Sequence, residues 1–305
     1  MINYSYIIIP SIIIGILSRV SMLKTDYRQY PSYPQGVFSH ITLGLIAASL
    51  GSVAVPALVA EEFSAVTFLA LAAQQFRDVR SMERQSLDNI EPTELIPRGT
   101  AYIEDIAKAF EARNYVTMLS SLIVSIIIFL LVSFDVSKMY AIIIASIIGI
   151  LAIVFFNSAI SRQTISEIAK VRPATITFKG SLLVVNDVII MNVGLKASKD
   201  IYMEKGIAIE IEPKDENAVA TLANVGQRQA IQHNASTLLG IRKDVDEPDF
   251  TPIARRDPHT GRVVMAIVTM EPDVECLVKA VEDTIVLESS KRKPLDSKIG
   301  RKAAD

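Results

Sequence analysis

One cysteine, Cys276, stands among the 305 residues, which excludes an intrachain disulfide and a cysteine-built metal cluster. The lone thiol is expected to pack in a helix in a reducing compartment. Nor is there an excess of positive charge: 31 Lys and Arg against 33 Asp and Glu leave a formal net charge of -2, so no basic face for nucleic acid is expected. No Walker A loop, GxSxG elbow, HExxH helix or paired CxxC occurs, and each absence removes the reaction class that needs that spacing. His233 and His259 lack the companions of a zinc site, and a polar surface role is expected for both. Neither cofactor nor metal is expected. The N-terminus has no Lys or Arg ahead of its first apolar run, which reads as a retained span and not a cleaved signal peptide.

What the chain does have is aliphatic sequence. Half of its residues are hydrophobic, and the Ile-rich runs lie before Ser161. The run from Tyr4 to Val20 is long enough to cross a bilayer in spite of Pro10 and Gly15, with Arg19 snorkelling at its end. A loop with Tyr27, Tyr30 and Tyr33 among prolines suits the headgroup level. A second span runs from Val37 to about Val59, where Gly44 and Gly51 share a face that lets another helix approach closely. Asn114 to Phe134 and Met139 to Ser161 are the two clearest spans, joined by a hairpin at Asp135 to Lys138.

Between these pairs lies Glu61-Glu62, an apolar segment, and the polar run QQFRDVRSMER. Basic residues flank three loops: Arg19 to Arg28, Arg77 to Arg113, and Arg162 to Arg172. If all three are cytoplasmic, residues 57–76 return the chain across the membrane and leave the acidic pair at the outer surface. We therefore favour five membrane segments. The alternative has four, with Phe63 to Arg84 as an amphipathic interfacial helix.

The expected fold is an α-helical membrane bundle of four to five segments over residues 1–161, with an embedded polar helical region at 77–113. A small α+β domain follows over 162–290, sheet on one side and helices on the other, and is expected to be cytoplasmic. Turns are read at Lys179-Gly180 and Asn186-Asp187, strands in GIAIEIE and VVMAIVTM, one helix over DENAVATLANVGQRQAIQHNASTLL stopped by Gly240, and another with Pro272 in its first turn. Residues 291–305 read as a basic, flexible tail.

An acidic pair beside a membrane span invites a catalytic reading. Glu61, Glu62 and His40 superficially match the glutamate-type intramembrane proteases, but the Arg expected after the pair is absent and no second His lies in any span. Interfacial carboxylates are the plainer explanation. Gln74, Gln75, Arg77, Asp78, Arg80 and Arg84 form a polar face suited to helix–helix hydrogen bonds and salt bridges, with Asp78 and Glu83 as acidic partners. Tyr102 and Glu104, at the start of the next helix, complete the candidate assembly residues. A solute channel lined by Gln74, Gln75 or Arg77 would need an oligomer.

TAYIEDIAKAFEARNY, AVTFLALAAQQFRDVRSMER and LESSKRKPLD together resemble the YIEGIA family, membrane proteins of endospore-forming Firmicutes. Asp105 stands where the family's naming hexapeptide has glycine. The resemblance implies a sporulation setting, a bacterial inner or forespore membrane, and a small companion described as a capping-complex subunit. It carries no catalytic residue onto this chain. The expected function is a non-enzymatic membrane scaffold, in contact with lipid and forming a homo-oligomer or a hetero-complex with a capping-type subunit; the alternative is a membrane-embedded protease.

Overall fold

The structure, a computed structural model, describes residues 4–26, 34–160 and 162–304. Tyr27, Tyr30 and Tyr33 lie outside the described residues. The chain forms two compact units, one of Met1–Gln85 with Ile106–Ser161, the other of Ser86–Asp105 with Arg162–Asp305.

The first unit is helical, with α1 (Ser5–Asp26), α2 (Pro34–Val59), α3 (Phe63–Ile90), α4 (Thr100–Ser133) and α5 (Lys138–Ile160). Four of these, α1, α2, α4 and α5, are long and apolar enough to cross a membrane. The first turn of α4 belongs to the second unit and the rest to the first. Small residues set the helix contacts. A Cβ on Gly15 would stand 2.5 Å from Ala48 Cβ, and one on Gly51 would stand 2.2 Å from the Met118 carbonyl oxygen, so the backbones of α2 and α4 meet with no room for a side chain.

These contacts also fix direction. Ser121 Oγ donates to Ala48 O at 2.7 Å and Ser125 Oγ to Ser52 O at 3.1 Å, so α2 and α4 run parallel. Two consecutive parallel helices require a returning segment between them, and α3 supplies it. The chain turns at Glu61, whose φ is 54°, and α3 brings Phe76 back against Ala47 and Leu50 in the middle of α2. α3 is not among the four helices apolar enough to cross, because its second half is QQFRDVRSMER and beyond.

The second unit opens with the strap 86–105 and resumes with α6 (Ile165–Ile168), β1 (Ala169–Ala174), β2 (Ile176–Lys179), β3 (Leu182–Val185), β4 (Val188–Asn192), α7 (Lys196–Lys205) and β5 (Gly206–Pro213). Then come α8 (Glu216–Leu222), α9 (Val225–Leu239), β6 (Ile253–Arg256), β7 (Val263–Val268), α10 (Val274–Glu282) and α11 (Lys298–Ala304). One antiparallel sheet has the order β1-β5-β7-β6 and a second is the meander β2-β3-β4. Gly180 and Asn186, with φ of 67° and 54°, make the two meander turns where glycine and asparagine tolerate the left-handed region.

The expected two-layer domain has a third layer. Every residue of β7 is buried: Val263, Met265 and Ile267 meet α9 and α10, while Val264, Ala266 and Val268 meet the meander and α7. A strand covered on both faces reads as a continuous apolar run, which VVMAIV is. Two helix assignments also change. Asn224 caps a new helix by accepting from Gln227 N–H at 3.2 Å, which splits the expected single helix into α8 and α9. Asp273 caps α10 by accepting from Cys276 N–H at 2.9 Å, so Pro272 precedes the helix and is not in its first turn. The tail begins tied down, with Leu295 N–H donating to Asn217 Oδ1 at 3.0 Å.

Candidate functional site

Within the second unit, the strap 86–105 lies along α9. Glu91 Oε1 accepts from Gly99 N–H at 2.5 Å and Glu94 pairs with Arg98 at 2.7 Å, so the strap is folded on itself before it meets anything else. Gly99 has φ of 83°, and a Cβ there would run into the Gln229 side chain at 2.3 Å. From α9, His233 Nδ1–H donates to Ile96 O at 2.7 Å; Lys243 Nζ donates to Leu95 O at 3.1 Å.

The YIED turn that starts α4 is the centre of this seam. Tyr102 Oη donates to Asn234 Oδ1 at 3.1 Å, and Asn234 Nδ2 passes the chain of bonds to Thr284 Oγ1 at 3.3 Å. Asp105, 3% exposed, forms an ion pair with Arg162 through Oδ2 and accepts from Glu288 N–H through Oδ1 at 3.2 Å. Arg162 also donates to Asp105 O at 2.9 Å. On the far side Gln227 receives Leu287 N–H at 2.7 Å and Ser290 Oγ–H at 2.8 Å, and donates to Ile285 O at 2.9 Å. Three stretches distant in sequence, YIED, QHN and VLESS, are thereby held in one register.

His233 is buried, not a surface residue as expected, and burial pushes its imidazole below the ordinary range more than the Ile96 carbonyl raises it. The signal for this was present in sequence: His233 falls three residues after Ala230, on the same face of α9. Asp105 was visible only as a departure from the glycine of the family hexapeptide. What makes it useful is Arg162, 57 residues on, which no local pattern links to it.

A second cluster lies in the helical unit. Arg19, 1% exposed, sits over the bare Gly44 backbone, donates through Nη2 to His40 Nδ1 at 2.8 Å and through Nε to His40 O at 3.3 Å, and stacks over Phe110 at 5.2 Å. Arginine was expected at the interface; it is instead enclosed by α2 and α4.

The residues proposed for catalysis do not meet. Glu61 and Glu62 are exposed beyond the C-terminus of α2, while His40 is near its start and committed to Arg19. Twenty-one residues at about 1.5 Å each separate them by roughly 30 Å. The polar face of α3 is also rearranged. Gln74 and Gln75 are exposed, and Arg77, Asp78 and Arg84 are exposed too. Arg80 pairs across helices with Glu111 of α4 at 3.2 Å, where an acidic partner on its own helix was expected. Glu104 is partly buried beside the YIED centre.

Comparison with known proteins follows the same span. The family model described as "YIEGIA protein" matches residues 7–297, through both units. "Uncharacterized protein YphB" of Bacillus subtilis (strain 168) is 42% identical over 297 residues, 97% of this chain and 97% of the relative. No solved structure matches. Match and identity extend across strap, seam and helices alike, and the chain belongs to the YIEGIA family.

Proposed function

We propose that this chain is an integral membrane protein that anchors a multi-subunit complex, with the sheet-bearing unit in the cytoplasm as its docking surface. The observation that carries the membrane reading is the polarity of the helical unit. Its exterior presents Ile9, Ile13, Leu45, Ile147, Leu151 and Phe155, while Ser11, Ser18, Ser52, Thr117, Ser120, Ser121 and Ser125 are buried. Water would reward the opposite arrangement; a hydrocarbon solvent rewards this one.

Five crossings fit that unit. α2 and α4 run parallel, so α3 returns the chain and Glu61 and Glu62 stay hydrated at the outer surface. Arg19 and the Arg80–Glu111 pair then lie toward the cytoplasmic side, as the distribution of basic residues favours. Asn157 Nδ2 donates to Ser21 Oγ at 3.0 Å, so α5 ends beside the end of α1, where the basic residues lie.

The scaffold reading rests on the seam. Its side chains are spent on holding segments together, as in a rigid docking module, and a protease would need Glu61 or Glu62 near His40. Partners are further copies of this chain or a small capping-type subunit, and the setting we propose is sporulation, in the inner or forespore membrane, as the family resemblance implies.

The single cysteine allows the first half of a labelling test without substitution. Cys276 is exposed, and its hydrogen bond to Asp273 pushes the thiol up, so labelling is run above neutral pH. A membrane-impermeant maleimide is expected to label Cys276 only after permeabilisation, and to label Glu62→Cys, in a Cys276→Ser background, in intact cells. Labelling of Cys276 from outside would refute the orientation. Replacing Glu61 and Glu62 by Gln separates the two functions: the scaffold reading requires an unchanged complex and unchanged turnover of neighbouring membrane proteins, and loss of a cleavage product would overturn it.

A further inference from the structure

The C-terminal segment 291–305 carries six cations, Lys291, Arg292, Lys293, Lys298, Arg301 and Lys302, against Asp296 and Asp305. All six are exposed, and among the described residues only Lys293 meets a carboxylate, that of Asp296 at 3.4 Å. Arg262 of the same unit, by contrast, faces Asp187, Glu210 and Asp257. The segment is nonetheless held in place. Arg292 N–H donates to Thr221 Oγ1 at 3.2 Å and Leu295 N–H to Asn217 Oδ1 at 3.0 Å, which fastens it to α8.

Its charges converge on one side. A Cβ on Gly300 would stand 2.0 Å from Pro294 O, so α11 rests its bare side on the turn at residues 294–296. At about 100° per residue, Lys298, Ile299, Arg301 and Lys302 fall within roughly 160° on the other side. Ile299 is 85% exposed among these cations. An apolar side chain ringed by Lys and Arg suits the headgroup boundary of a bilayer, which takes up both.

The segment also starts in the right place. Asp105 and Arg162 mark two of the points where the chain passes between the helical unit and the sheet-bearing one. The Asp105 carboxylate holds both Arg162 and the N–H of Glu288, just ahead of the basic segment. On the membrane reading proposed above, α5 leaves the bilayer at Ile160, so Arg162 and this junction lie at headgroup depth. At no more than about 3.5 Å per residue, Lys291 to Lys293 lie within roughly 18 Å of Glu288. The cations are thereby presented where an anionic leaflet would attract them.

We propose that residues 291–302 are a second, electrostatic membrane anchor, in which Lys298, Arg301, Lys302 and Ile299 bind the surface of an anionic bilayer and Lys291, Arg292 and Lys293 add charge. The proposal rests on the membrane reading and adds to it a lipid class and the residues that recognise it.

The test uses the full chain in nanodiscs of phosphatidylcholine, with or without phosphatidylglycerol, and a nitroxide at Ile299→Cys in a Cys276→Ser background. With phosphatidylglycerol the label is expected to lose mobility and to lose accessibility to a neutral, water-soluble nickel chelate. Both changes are expected to be absent in phosphatidylcholine alone and to be reversed by salt. Lys298→Gln, Arg301→Gln and Lys302→Gln together keep a good helix former at each position and are expected to lower the bound-to-free ratio of the segment about a hundredfold. A solvated tail, or one that binds an acidic protein, would respond alike in both bilayers. A second label, at Ile147→Cys of α5, keeps the two claims apart. If position 147 meets lipid while position 299 responds alike in both bilayers, or alike with and without the three cations, the proposal is overturned and the membrane reading stands. If position 147 meets water, both fall.

Discussion

Both units bury isoleucine, as Ile7 and Ile128 show in the helical one, but they differ in what else they enclose and in what they expose. The sheet-bearing unit encloses Ile209, Ile211, Val264, Met265 and Ile267 and exposes charge, while the helical unit encloses serines, alanines and Arg19 and exposes isoleucine, leucine and phenylalanine. Polar groups are also used differently. In the sheet-bearing unit, buried polar side chains link distant segments, as Gln227 does with residues 285–290. In the helical unit, hydroxyls mostly return to helical carbonyls, as Ser121 does to Ala48. One sequence thus folds by two rules, apolar burial in the sheet-bearing unit and close backbone packing in the helical unit, the second being the rule that a hydrocarbon solvent would favour.

A carboxylate placed on each side of this contrast would break it in opposite ways. Ile209→Asp puts an unpaired charge between α10 and the sheet and is expected to cost more than about 4 kcal/mol, unfolding that unit. Loss of cooperative thermal unfolding measures it. Asp105→Ala leaves Arg162 without its partner at the YIED centre and is expected to cost about 3 kcal/mol, read from chemical denaturation of the same unit. Ile147→Asp, at an exposed position of α5, is expected to impair membrane insertion by about 2.5–3.5 kcal/mol. Were that face in water, the change would fall within about 0.5 kcal/mol.

The layout of the helical unit was legible because long Ile runs and Gly44 or Gly51 announce themselves within one helix. The turns at Gly180 and Asn186 and the stop at Gly240, whose φ is 70°, were legible for the same local reason. The strap was not. Residues 86–105 look like a polar insertion of the helical region, and only the fit of Ile96, Gly99 and Tyr102 onto α9 shows where they belong. The second sheet was missed because alternation in β5 suggested one covered face, whereas the uninterrupted β7 carried the better signal. His40 and Glu61 looked like a site because sequence hides the length of the helix between them.

Two smaller effects sharpen the contrast. Because the folded pKa of His233 is depressed, the unfolded state takes up a proton first as pH falls below about 6.5. Stability of the sheet-bearing unit is therefore expected to be level above that pH and to decline below it, and His233→Gln should flatten the decline in a pH series of denaturation midpoints. Ser121→Ala removes an interhelical hydrogen bond to Ala48 and is expected to cost only about 0.6 kcal/mol, measured by unfolding in mixed micelles.

The inverted polarity of the helical unit is tested most directly by spin labels at positions 147, 151 and 155 of α5, introduced singly in a Cys276→Ser background and reconstituted in bilayers. Their collision rates with oxygen and with a water-soluble nickel chelate report the solvent that each position meets. High oxygen and low nickel accessibility at all three is the predicted result. High nickel accessibility would contradict the account, because it would place these isoleucine, leucine and phenylalanine side chains in water.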